Sequence, residues 1–117
     1  MTDQSESHSP AGAEWNIPQM GTEQSERWHE FFSIPTMSMG IYKLTTGDTD
    51  LQSPHTEDEA YYIVSGKAKI QVEDTVYDCS AGKVIFVRRH VVHKFIDIEE
   101  DLTILVFFAP AEGSQAD

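Results

Sequence analysis

The alternating run Lys67–Glu73 constrains this chain most. Ala68, Ile70 and Val72 point one way, and Lys67, Lys69, Gln71 and Glu73 the other. A period of two is the signature of a strand with one face buried. Similar short runs surround it, separated by turn residues. Met37–Leu44 follows Pro35, and Thr45–Asp48 (Thr-Thr-Gly-Asp) reads as a turn. Ala60–Val64 is apolar and closed by Ser65–Gly66. Asp74 marks a hairpin, Thr75–Cys79 returns, and Ser80–Gly82 turns again. Lys83–Val87 reads as a buried strand, His93–Asp97 as another, and Leu102–Ala109 as a long apolar strand before Pro110. Seven or eight short strands, with no long amphipathic helix, predict an all-β sandwich or barrel.

The flanks differ. Residues 1–14 are polar, acidic and rich in Ser, Gly and Pro, which predicts a disordered tail. Residues 15–36 read as an N-terminal arm and edge strand, with Trp15, Ile17 and Met20 as anchors. Arg27–Phe32 suits a strand, with a helical turn over Glu23–Phe31 as competitor. Residues 37–110 form the barrel, and 111–117 a flexible polar tail.

At 117 residues one domain is expected. A net charge of −12 excludes phosphate-directed nucleic-acid binding and anionic membrane surfaces. The N-terminus lacks the basic and apolar regions of a secretory signal, and no apolar run is long enough to span a membrane. The single cysteine, Cys79, has no partner for an internal disulfide. A cytoplasmic location is the simplest expectation.

Chemistry concentrates in two stretches, Gly47–Gly66 and Gly82–Asp97. The first holds Ser53, His55 and Glu59; the second ends with His93 and Asp97. Alternation places Ser53 with His55, Glu59 with Tyr61 and Ile63, and His93 with Phe95 and Asp97. If these faces share one interior, two imidazoles and a carboxylate converge, a donor set suited to Fe, Mn, Ni, Cu or Zn. Three ligands leave open positions for water or substrate. A buried Glu with neither metal nor partner would be costly, which favours the metal. His8 and His90 read as solvated, as do Arg88 and Arg89; His29 reads as a surface or core-edge residue, and Cys79 as a small buried one. Asp97 is either a hydrogen-bond partner of a ligand or a surface residue.

The spacing resembles the cupin superfamily. Its first motif runs G-x5-H-x-H-x3/4-E-x6-G, matched by Gly47, Ser53, His55, Glu59 and Gly66. Its second runs G-x5-P-x-G-x2-H-x3-N, matched in spacing by Gly82 and His93, with Arg88, His90 and Asp97 standing where the family has Pro, Gly and Asn. The resemblance spans about residues 37–109. It implies a small antiparallel jelly-roll β-barrel, a divalent transition metal on His55, Glu59 and His93, and a homodimer joined through N-terminal arms. Ser53 stands where the family has its first histidine, and Gln52 is a weak candidate for a fourth ligand through its amide oxygen. Glu59 is a ligand or, if displaced, a base. Ser53, Tyr61, Phe95 and Phe107 are the expected pocket walls. Fold does not fix chemistry. The expected activity is that of a metalloenzyme of dioxygenase, isomerase or lyase type. Its substrate would be a small carboxylate, hydroxy or keto compound, or sugar. The competing expectation is a metal-dependent binding or sensing protein without turnover, and a metal-free interaction protein is the third.

Overall fold

The computed structural model describes residues 10–50 and 52–115. Helix α1 spans Ile17–Glu23, and the strands are β1 Trp28–Ile34, β2 Met37–Leu44, β3 Asp58–Val72, β4 Thr75–Ser80, β5 Val84–Val87 and β6 His93–Ala109. Every strand pairing is antiparallel, in the order β1-β2-β6-β3-β4, with β5 also on β3. The sheet curls without closing and has the jelly-roll form.

Among the described residues six strands replace the expected seven or eight because two are long. Ala60–Val64 and Lys67–Val72 are parts of one strand, β3, and His93–Asp97 and Leu102–Ala109 are parts of β6, while Glu73 of the expected run is in the turn. Gly66 explains the first merger. Its φ of +102° and the closeness of the Asp101 carbonyl admit no Cβ, so the chain bends there without leaving the sheet. The β3–β6 register shifts through the same region.

The concave face carries the core. Leu44, Tyr61, Ile63, Ile70, Phe95 and Ile104 are all at most 2% exposed. Strand β5 is only half buried: Ile85 and Val87 face inward, whereas Val84 and Phe86 are exposed. Ser38, Gly40, Tyr42 and Leu44 share the inner face of β2. Gly40 leaves room for Trp28, whose ring occupies the space a methyl group there would need.

The arm contains a short helix that sequence periodicity did not show. Its N-terminus is capped by Asn16, which accepts from the Gln19 amide at 3.0 Å, and Pro18 sits in its first turn. The Lys43 ammonium donates to the carbonyls of Gly21 and Gln24 at 2.7 and 2.9 Å, holding the arm against β2. Trp15 packs on Phe31 and Phe32 with ring centroids 5.1 and 5.2 Å away.

The expected disordered tail falls, for residues 1–9 including His8, outside the described residues. The expected flexible C-terminal tail is not what residues 111–115 form. Ala111 is buried, the Glu112 amide donates to Ser38 Oγ at 2.8 Å, and the amides of Gly113 and Gln115 donate to Glu57 at 2.9 and 3.1 Å. The anchor is a buried carboxylate more than fifty positions upstream. Burial acts to raise the Glu57 pKa, but the Thr56 hydroxyl and those two amides outweigh it and hold it below the usual range.

Candidate metal centre

His55, Glu59 and His93 offer ligand atoms that all lie within 4.8 Å of one another. Glu59 enters from the start of β3 and His93 from the start of β6. His55 comes from the loop between β2 and β3, where its carbonyl accepts from the His90 amide at 2.8 Å. That bond ties the first motif to the second. His90 itself is exposed, with φ +65°.

The donors have the arrangement a cation needs. The Val91 carbonyl, acceptor only, takes a hydrogen bond from His93 Nδ1 at 2.8 Å. The lone pair of His93 Nε2 then faces the cluster. Around that nitrogen stand Glu59 Oε1 at 2.8 Å and the Tyr61 hydroxyl, which donates at 2.9 Å. Glu59 Oε2 lies 3.8 Å from His55 Nε2. Both Glu59 oxygens are buried and neither receives a hydrogen bond from the described residues. His93 Nε2 approaches Glu59 Oε1 to 2.8 Å but, with its proton on Nδ1, has none to donate. Buried carboxylate oxygens without donors are costly, and a coordinated cation satisfies both. The residues therefore fit a divalent transition metal.

Asp50, buried in the same loop, sets the orientation of Gln52. Its carboxylate accepts from the Phe95 amide, the Gln52 side-chain amide and the Tyr42 hydroxyl, at 2.8, 2.8 and 2.6 Å. A carboxylate accepts only, so the Gln52 nitrogen must face Asp50 and its oxygen must face the cluster. That oxygen is 3.2 Å from His55 Nε2 and 3.3 Å from the Tyr61 hydroxyl.

The electrostatics follow from burial and from these carboxylates. Burial, then the charges of Glu59 and Asp50, push the Tyr61 phenol well above its ordinary pKa, so it stays a donor. Burial pulls His93 down, but the contacts with Glu59 and the Val91 carbonyl outweigh it, and the net shift is upward. Glu112 is raised by burial and by the nearby charges of Glu30, Glu57 and Glu59.

Beside the centre is a cavity of about 160 Å³, walled by Trp28, Tyr42, Val106 and Phe108. Gln52, His55, Tyr61 and Glu112 supply its polar surface. Of the expected pocket residues, Tyr61 lines it and three do not. Ser53 is exposed, because the loop is irregular and alternation does not hold across it. Phe95 is core, its ring centroid 5.1 Å from that of Tyr61. Phe107 lies on the other face of β6; its neighbour Phe108 is the wall. Asp97 is exposed with φ +48°, so it does not continue the inward face of His93 and Phe95. Asp50, Glu57 and Glu112 were missed by sequence reading. Asp50 and Glu57 lie inside the first motif, whereas Glu112 had no local signal.

A model of the cupin domain matches residues 40–108. The chain is a cupin. A protein of Streptomyces coelicolor described only as uncharacterized is 45% identical over 84 residues, covering 72% of this cupin and 80% of that protein. KdgF from a Halomonas species has a TM-score of 0.65 at 20% identity, over 71% of this chain and 76% of that one. A Neisseria meningitidis protein has a TM-score of 0.69 at 17% identity, over 83% and 99%. At such identities the two structures speak for the fold alone. No helix among the described residues is long and apolar enough to cross a membrane.

Proposed function

We propose that this cupin holds one divalent transition metal on His55, Glu59 and His93, with the Gln52 amide oxygen as fourth donor. Its cavity would bind a small polar molecule for chemistry of the dioxygenase, isomerase or lyase kind. The buried, donor-free carboxylate of Glu59 between two imidazoles is the observation that supports this most. The metal, Fe, Mn, Ni, Cu or Zn, would supply Lewis acidity or, if iron, dioxygen chemistry.

The chain's own residues have separate tasks. Val91 fixes His93 with its Nε2 toward the centre, and Asp50 fixes Gln52. Tyr61, kept protonated, can donate to a ligand oxygen seated beside His93. Trp28, Tyr42 and Phe108 exclude water from the other side. With Glu59 serving as a ligand, Glu112 is the carboxylate left facing the cavity as a proton acceptor.

Protein loaded with iron, and separately with zinc, tests this against a panel of small hydroxy, keto and amino compounds. Turnover lost in His55→Ala and His93→Ala supports the enzyme. A compound that raises Tm of the metal-loaded protein without being consumed identifies a metal-dependent binding protein instead.

Homodimerisation belongs to the same proposal. Val84 and Phe86 are 64% and 62% exposed. Val84 pairs laterally with Tyr62, and Phe86 with Ala60, making one apolar area on the convex face. Such an area suits a self-complementary contact. A dimer in sedimentation that Phe86→Glu turns into a folded monomer supports it; a wild-type monomer contradicts it.

A further inference from the structure

The cavity has a composition that the metal ligands do not explain. Its walls include the aromatic rings of Trp28, Tyr42 and Phe108, set edge to face with centroids 6.4 Å apart for Trp28–Tyr42 and 6.2 Å for Trp28–Phe108. Among the described residues no Lys or Arg lines it, whereas Glu112 does. The Glu112 carboxyl is 31% exposed, stands 3.9 Å from His55 Nδ1, and accepts no hydrogen bond from the described residues. Its mount is rigid. Ser38 holds the Glu112 amide, and Glu57 holds the two amides that follow within the next three residues.

From this we infer that the cavity selects a small organic cation, an alkylammonium or amino alcohol, with Glu112 as its specificity-determining residue. Aromatic faces attract cations through their quadrupoles, and a carboxylate adds a charge-assisted contact. An anionic ligand would meet Glu112 with no basic residue to offset it. The volume sets the size. A cavity of about 150 Å³ accommodates benzene, so about 160 Å³ suits a ligand of roughly six to eight heavy atoms. The class assignment rests on this cavity being the ligand chamber of the proposed metal site.

Three probes of nearly equal shape test it: choline, its neutral isostere 3,3-dimethylbutan-1-ol, and the anion 3,3-dimethylbutanoate. Each is titrated calorimetrically into metal-free and zinc-loaded protein. The wild type is expected to bind choline about tenfold or more tighter than the alcohol, with the anion weakest. Glu112→Gln keeps the backbone contacts to Ser38 and Glu57, and should reduce the choline preference to about twofold at unchanged Tm. Glu112→Asp should restore part of it. Equal affinities, a preferred anion, no binding of any probe, or a choline preference that survives Glu112→Gln overturns the inference. Zinc titration in the same experiment separates the two proposals. Stoichiometric zinc without cation preference overturns only this one. A Glu112-dependent preference in a protein that binds no zinc overturns the metal reading and leaves the selectivity standing.

Discussion

Replacing Glu59 by Gln separates a metal ligand from a structural ion pair. The carboxylate is 3% exposed and neither oxygen receives a hydrogen bond from the described residues. An unsatisfied buried polar group costs about 1–3 kcal/mol, and more if charged. The amide removes the charge at nearly constant shape. Unfolding entropy near 2.1 cal/mol/K per residue, over 117 residues, makes 1 kcal/mol equal to about 4 °C in Tm. The chelated variant should therefore melt about 4–12 °C above the chelated wild type. Metal at one hundred times its Kd contributes about 2.7 kcal/mol, so the wild type should rise about 11 °C on loading and the variant hardly at all. The order of the two proteins then narrows or inverts with metal. Thermal melts by circular dichroism, with chelator and with zinc, measure all four values. If Glu59 instead serves a structural pair with His93, Glu59→Gln should destabilise the chelated protein by about 3–5 kcal/mol. That result, with equal metal responses in both proteins, would refute the argument.

Three further outcomes follow from particular residues. The Thr45 backbone and hydroxyl hydrogen bonds, with a smaller contribution from Arg27, hold the Asp48 pKa below its ordinary value. Its stabilisation is present above the unfolded-state pKa and lost as pH falls through the folded one. The Tm gap between wild type and Asp48→Ala should be open at pH 7 and close in strong acid; a gap independent of pH refutes this. Burial pushes the Cys79 thiol up to about 11, so at pH 8 roughly one molecule in a thousand is thiolate, against about a quarter when unfolded. A chromogenic disulfide should react at least a hundredfold more slowly with native than with denatured protein. Gly40→Ala forces a methyl group into the Trp28 ring and should cost about 1–3 kcal/mol in urea unfolding while changing tryptophan emission. An unchanged midpoint contradicts the packing described.

Much of this molecule is legible in its sequence because strand alternation and turn residues are local signals. Glu59, Tyr61 and Ile63 share the buried face as their spacing requires. The imidazoles of His55 and His93 meet because two glycine-bounded segments put them at matching ends of the sheet. Reading fails where a local signal is cancelled or absent. Gly66 marks a bend inside β3, although glycine after serine looks like a turn. Phe107 and Phe108 are adjacent in an apolar run, so a shift of one residue exchanges wall for outer face. Gln52 replaces Ser53 at the centre because the loop between β2 and β3 is held by Asp50 rather than by a ladder. Glu112 and its mount depend on Glu57, too distant along the chain for any periodicity to reveal.

The most direct test counts ions. Wild type and His93→Ala are each dialysed against a slight excess of zinc, then against metal-free buffer, and analysed for metal per chain. Close to one zinc per chain is expected in the wild type and almost none in the variant. Equal occupancy in the two proteins, or no zinc in a correctly folded wild type, would contradict it.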